Sequence, residues 1–205
     1  MTLNKIKILK TIAWIGCLIP LGKLIYGAVT NSLGADPTAE ITFVTGLATL
    51  RILTLSLAVT PVRRLIPAVG WIGPLRKTLG LFAFFYATLH LATYVALYAG
   101  FDVNAMTADI AKRRYITIGV AAWLLLLPLA ATSTNWAIRK LGGKRWKRLH
   151  KLVYVAAVFG VIHYWWQVKS GVLTPIGITV ALAVLLLARP ALDWSQRRKM
   201  AARAA

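Results

Sequence analysis

Six apolar runs, each close to the length that crosses a bilayer, constrain this chain more than any other feature. A helix needs about 20 apolar residues to span the hydrocarbon core, and lipid leaves every backbone polar group to be satisfied within the segment. No stretch shows the alternating pattern of barrel strands. The sequence therefore predicts an all-α, polytopic membrane protein, a single six-transmembrane-helix bundle over residues 1–205. The predicted spans are about 10–29, 41–60, 76–98, 115–132, 149–168 and 174–190.

The first run also has features of a signal peptide, because Lys5, Lys7 and Lys10 precede its apolar residues. Lys23 interrupts it, however, and no small-x-small cleavage pattern follows. We therefore expect this run to remain as the first span, with Lys23 as an interfacial anchor.

The cations are concentrated in alternate gaps between the apolar runs. The chain has 25 Lys and Arg against 5 Asp and Glu, a net charge of +20. Nineteen of the cations lie in the N-terminus, the 61–77 and 133–151 segments and the tail from Arg189. Four lie in the other gaps: Lys112, Arg113, Arg114 and Lys169. This positive-inside pattern places both termini in the cytoplasm, and it differs from the basic face of a nucleic-acid-binding domain, so nucleic acid is not an expected partner.

Arg51 lies near the middle of the second span, where a charged side chain costs about 2.5–3.5 kcal/mol on insertion scales. Two interpretations remain open. The arginine snorkels or pairs with a backbone carbonyl, or it is the counter-charge for a bound anion, such as a heme propionate or a flavin or quinone oxygen.

All three histidines lie in or at the edges of spans: His90 in the third, His150 and His163 in the fifth. A lone intramembrane histidine usually makes a helix–helix hydrogen bond, but three of three in spans favours a ligand role. Imidazole is a common axial ligand of heme iron, and heme suits a bundle core. Zinc, the rival, usually needs four ligands, and the single Cys17 is on the first span.

Depth distinguishes the possible pairs of histidines. His90 lies about 21 Å along the third span, and His163 lies about 20 Å along the fifth, so the two match in height near the outer face. His150 lies at the cytoplasmic edge and has no histidine at its height. On an ideal helix His150 and His163 are also about 140° apart around the helix axis, so the spacing alone does not place both on one ligand-binding face.

Several segments resemble one known family in order along the chain. They include LGADPTAEI (33–41), TGLATLRILTLSLAVTPVRRL (45–65), LRKTLGLFAFFYATLHLATY (75–94), RRYITIGV (113–120), LAATSTNWAIRKLGGKRWKRLHKLVYV (129–155) and IHYWWQVK (162–169). The chain resembles the ferric reductase-like transmembrane superfamily, which includes NADPH oxidases, and within it the MsrQ (YedZ) family. The wider superfamily often has two histidines on each of two helices, whereas this chain has one on its third span.

The resemblance implies a heme b membrane subunit of a methionine sulfoxide reductase system in the bacterial inner membrane, associated with FMN. Such subunits pass electrons from a cytoplasmic flavin reductase or the quinone pool to a periplasmic molybdopterin enzyme, which repairs oxidised envelope proteins. The membrane subunit does no chemistry on the substrate itself. His90, His150 and His163 fall on the family's heme-ligand positions, while no flavin motif can be carried over.

Two other functions compete with electron transfer between proteins. One is a stand-alone transmembrane reductase of ferric iron or oxygen. Such enzymes often carry a fused flavin and nicotinamide domain, and this chain has no Gly-rich dinucleotide loop. The other is a small transporter with His and Arg along a polar path, although no broken helices or inverted repeats are evident.

Overall fold

The computed structural model describes residues 2–167 and 173–204, almost all of them helical, and no strand occurs within these two ranges. The all-α prediction is confirmed. A 3₁₀ turn over Pro67–Ile72 follows the second helix, and a π-helical turn over Tyr94–Tyr98 ends the third. In the described ranges the α-helices are α1 (Thr2–Val29), α2 (Pro37–Leu65), α3 (Leu75–Thr93), α4 (Val103–Lys112), α5 (Arg114–Ala131), α6 (Asn135–Leu141), α7 (Gly143–Leu149), α8 (Leu152–Gln167) and α9 (Leu173–Ala204).

Membrane-length helices account for five of the six predicted spans. Within the described residues these are Asn4–Val29, Pro37–Leu65, Leu75–Tyr98, Arg114–Ala131 and Pro175–Leu192. The chain is thus a multi-pass membrane protein.

The predicted span at about 149–168 corresponds to α8, whose described part has 16 residues, or about 24 Å. α8 begins at Leu152, three residues after the predicted start at about 149, because Leu149 ends α7 and His150 and Lys151 form a turn before α8. The Lys151 N–H donates to the Arg148 carbonyl at 3.2 Å, an i→i−3 bond that tightens the end of α7. Residues 168–172, with Lys169 and the end of the predicted span, lie outside the described residues.

Polar side chains set the starts of the helices that face one end of the bundle. The Asp36 carboxylate accepts the Ala39 N–H at 2.9 Å and Pro37 occupies the first turn, so α2 begins there. Asp102 caps α4 in the same way. We call this end, with Asp36, Glu40, Asp102 and Asp109, the acidic end. The opposite end, with Pro67–Ile72, α6 and α7, is the basic end.

The core is formed where α2 packs along α3 and α5 packs along α8, with α1 and α9 against α2. Tyr86 on α3 is fully buried in it. Its hydroxyl donates to the Cys17 carbonyl at 2.6 Å and accepts the Leu21 N–H at 3.1 Å. It therefore bridges two backbone groups one turn apart on α1, beside Pro20, which has no N–H of its own.

A polar cluster at the acidic end joins α3 to α5. Tyr94 donates to Asp109 at 3.1 Å, Asp109 pairs with Arg113 at 2.9 Å, and Arg113 donates to the Tyr115 hydroxyl at 3.3 Å. Tyr94 opens the π-helical turn, four residues after His90. The cluster thus connects the end of the helix that carries His90 with the start of α5.

Candidate functional site

His90 and His163 face each other inside the bundle near the acidic end. Their ring centroids are 5.8 Å apart and their planes stand at 84°. Both side chains are half-buried. The depth matching made from the sequence agrees with this placement, because α3 and α8 both run towards the acidic end and bring the two residues to one level.

Backbone carbonyls hold the Nδ1 atom of each ring. His90 Nδ1 lies 3.0 Å from the Thr42 carbonyl on α2, and His163 Nδ1 lies 2.7 Å from the Tyr115 carbonyl on α5. A carbonyl only accepts, so each Nδ1 carries the proton and each Nε2 keeps its lone pair. Within the described residues neither Nε2 has a hydrogen-bond partner. Imidazoles that bind metals are typically held in this way.

Two glycines make room for the rings. A Cβ atom on Gly46 would lie 3.0 Å from His90 Cε1, and one on Gly119 would lie 2.8 Å from His163 Nδ1. Any larger residue at either position would push the imidazole out of place. α2 and α5 therefore approach the rings closely only because these positions lack side chains.

The arrangement fits the two axial ligands of a heme iron. Two axial ligands of one iron must lie at one level on neighbouring helices, and these two rings do, with their centroids 5.8 Å apart. In the described part of the chain, no group of three or more His, Cys, Asp and Glu side chains could hold a metal ion. Two histidines are enough to bind a heme iron, whereas a closed zinc site uses four ligands.

His150 lies apart from this pair, at the basic end. Its ring stacks on Trp146 at 3.9 Å between centroids, and its Nε2 is 3.1 Å from the Thr132 hydroxyl. That hydroxyl donates to the Pro128 carbonyl at 2.6 Å, so it accepts from His150, whose Nε2 then carries the proton. Burial, and then the charge of Arg76, lower the pKa of His150, which favours the neutral ring.

Arg51 also lies away from the histidine pair. Thr42, Thr45 and Gly46 form the face of α2 that meets His90, and Arg51 is about 120–140° around the helix from Thr45 and Gly46. Its side chain is exposed between α1, α2 and α9. No carbonyl or carboxylate pairs with it among the described residues.

Sequence reasoning missed the groups that orient the three imidazoles. Gly46 and Gly119 could have been noticed as small residues within apolar spans, and Trp146 lies one turn before His150. The carbonyls of Thr42 and Tyr115 give no sequence signal, because every residue has a carbonyl and only the packing selects these two.

Comparison with known proteins agrees with the geometry. Residues 42–161 match the family model described as ferric reductase like transmembrane component. A relative from Herminiimonas arsenicoxydans is 46% identical over 95% of this chain and 90% of its own length. One from Rhodospirillum rubrum is 49% identical over 86% of this chain and 84% of its own. Both are named protein-methionine-sulfoxide reductase heme-binding subunit MsrQ. The chain therefore belongs to the MsrQ family, within the ferric reductase-like transmembrane components.

Proposed function

We propose that this protein is a heme b electron-transfer subunit of the bacterial inner membrane. It passes electrons from a cytoplasmic flavin or quinone donor to a periplasmic molybdopterin methionine sulfoxide reductase, in support of envelope protein repair. The observation that carries the proposal is the facing pair His90 and His163, each with Nδ1 held by a carbonyl. The names of the relatives support the same assignment.

The chain's own residues bind and orient the cofactor. His90 and His163 would bind the heme iron through Nε2, and the carbonyls of Thr42 and Tyr115 keep those nitrogens unprotonated. Heme supplies one-electron transfer when bound. If the basic end is cytoplasmic, as the cation distribution predicts, the pair lies in the outer half of the membrane, on the side of the acceptor.

His150 is the proposed ligand at the cytoplasmic side, where a second heme would shorten the electron's path. The Thr132 hydroxyl occupies Nε2 of His150, and the stacking on Trp146 holds the ring in this orientation. A metal would therefore bind Nδ1, or the ring would have to rotate. The resemblance also implies FMN, and flavin extracted from the purified protein would test that part separately.

A reduced-minus-oxidised spectrum with pyridine hemochrome quantification of the purified protein tests the proposal. We expect one or two b-type hemes per chain. The dithionite-reduced protein should then lose its reduced-heme band when mixed with the periplasmic reductase and methionine sulfoxide. A protein without b-type heme would disprove electron transfer. A heme that passes electrons to ferric iron or oxygen but not to the reductase would instead indicate a stand-alone reductase.

A further inference from the structure

Thr45 on α2 is a buried polar side chain that contacts one ring of the histidine pair. Its relative exposure is only 1%. Its hydroxyl oxygen lies 3.3 Å from Nδ1 of His90, and the Thr42 carbonyl lies 3.0 Å from the same nitrogen. Two oxygen atoms of α2, one from a side chain and one from the backbone, therefore meet the nitrogen of His90 that points away from the proposed iron.

The hydroxyl of Thr45 accepts a hydrogen bond from His90. It lies 2.8 Å from the Ile41 carbonyl and 3.1 Å from the Thr42 carbonyl, and a carbonyl can only accept. The single hydroxyl proton is therefore donated to the backbone of α2. The oxygen keeps its lone pairs for the Nδ1–H of His90, which is shared between this hydroxyl and the Thr42 carbonyl in a three-centre bond.

The two histidines differ in how they are held. Nδ1 of His163 bonds to the Tyr115 carbonyl at 2.7 Å, and among the described residues no side-chain hydroxyl bonds to that ring. Every residue has a backbone carbonyl, so substitution does not remove the acceptors of Thr42 and Tyr115. Thr45 is thus the position at which a change of side chain alters the hydrogen bonding of the pair while both backbone contacts remain.

We infer that Thr45 is a positioning residue that lowers the reduction potential of the heme held by His90 and His163. The inference rests on the proposed function and assigns a residue that tunes it. An acceptor at Nδ1–H makes the imidazole a more basic ligand at Nε2. A more basic ligand stabilises ferric iron more than ferrous iron, because the ferric ion carries one more positive charge. Taking up one electron is then less favourable, and the potential falls.

Burial strengthens this effect. Water has almost no access to Thr45, so no solvent molecule competes for the Nδ1–H of His90 at this point. A hydrogen bond in such a low-dielectric environment is electrostatically stronger than the same bond in water. Loss of the hydroxyl would leave the Thr42 carbonyl as the remaining acceptor of the ring, so His90 would keep its tautomer and its place while its basicity fell.

A purely local role of the hydroxyl is the competing explanation, since threonines within helices commonly bond to the carbonyl four residues earlier. Thr49 provides the comparison. Its hydroxyl makes this local bond, to the Thr45 carbonyl at 2.9 Å, and among the described residues it bonds to neither histidine. The two threonines are one turn apart on α2, and the contact with a histidine distinguishes them.

A redox titration of the heme-loaded protein in nanodiscs tests the inference, with the low-spin heme band as the signal. Thr45→Val replaces the hydroxyl with a methyl group of similar size, and Thr45→Ala removes it without placing a methyl group against the ring. Thr45→Ser retains the hydroxyl and serves as the rescue. Thr49→Val is the matched control, because it makes the same change at the threonine that does not contact the ring.

We expect Thr45→Val and Thr45→Ala to raise the midpoint potential. At a fixed applied potential the ratio of ferrous to ferric heme should rise about threefold to tenfold, the effect of losing one neutral hydrogen bond. A tenfold change is about 59 mV for a one-electron couple. Thr45→Ser and Thr49→Val should stay within about twofold of wild type. Heme content per chain should be unchanged in all four variants, because the backbone acceptors remain.

An unchanged or lower potential in Thr45→Val and Thr45→Ala would overturn the inference. So would an equal rise in Thr49→Val, or a rise of the same size in Thr45→Ser. Loss of heme from both Thr45→Val and Thr45→Ala would assign Thr45 to heme retention instead and would also contradict the inference. A wild-type protein without b-type heme disproves the proposed function itself, whereas a heme whose potential ignores Thr45 disproves only this inference.

Discussion

The rings of His90 and His163 lie 5.8 Å apart between centroids with their planes nearly perpendicular, on two helices that are far apart in the chain. Each ring is oriented by a third helix, His90 by α2 and His163 by α5. Four helices must therefore assemble before the two rings are held together, so the geometry of the pair depends on correct folding of the bundle.

The pair predicts that His90→Ala and His163→Ala remove the same low-spin heme. In the proposed site both histidines would bind the same iron, so loss of either would remove the low-spin heme. The measurement is the low-spin signal in electron paramagnetic resonance with hemochrome quantification. A variant of either histidine that keeps its full low-spin heme would show that the two do not share an iron.

His150→Ala should leave that heme intact. The ring lies at the other end of the bundle, about 20 Å along the chain direction from His163. We expect loss of a second heme, or slower reduction from a cytoplasmic flavin reductase, and an unchanged outer heme signal. Loss of the outer heme in this variant would contradict the separation of the two sites.

The close approach of two glycines gives a third prediction. Gly46→Ala and Gly119→Ala place a methyl group about 3 Å from the rings, and overpacking of this kind costs about 1–3 kcal/mol. Heme retention should weaken by about fivefold or more in each variant. Gly80→Ala is the control, because its added Cβ would be 3.6 Å from Ser56 Oγ, an ordinary contact. Equal heme retention in all three variants would show that the helices yield to the methyl group.

Tyr86→Phe should destabilise the bundle without touching the histidines. The hydroxyl bonds to the Cys17 carbonyl and the Leu21 N–H of α1, and loss of a typical intramolecular hydrogen bond costs about 0.5–1.5 kcal/mol. Thermal unfolding in nanodiscs measures the loss. Tyr98→Phe, at a ring that is 55% exposed, should have no comparable effect. Similar stability of the two variants would mean that the bridge to α1 contributes little.

The sequence was sufficient for the helices and for the choice of the histidine pair, because length, hydropathy and depth along a helix are one-dimensional properties. It failed where contacts between helices decide. His150 was predicted at the start of the fifth span, and the angle between it and His163 was judged on one ideal helix. In the structure the two residues belong to different helices, because His150 is held against Trp146 and Thr132. The direction of Arg51 was equally hidden, since it depends on which face of α2 meets α3.

The polar cluster of Tyr94, Asp109, Arg113 and Tyr115 links the two segments that position His90 and His163. Tyr94 follows His90 by one turn, and the carbonyl of Tyr115 holds His163. The cluster therefore connects the backbone near His90 with the backbone that holds His163. Its bonds are polar and lie at the water-facing end, where an exposed ion pair is weak and sensitive to salt. The relative position of the two histidines is thus linked by polar bonds to the water-facing end of the bundle, where added salt weakens an exposed ion pair.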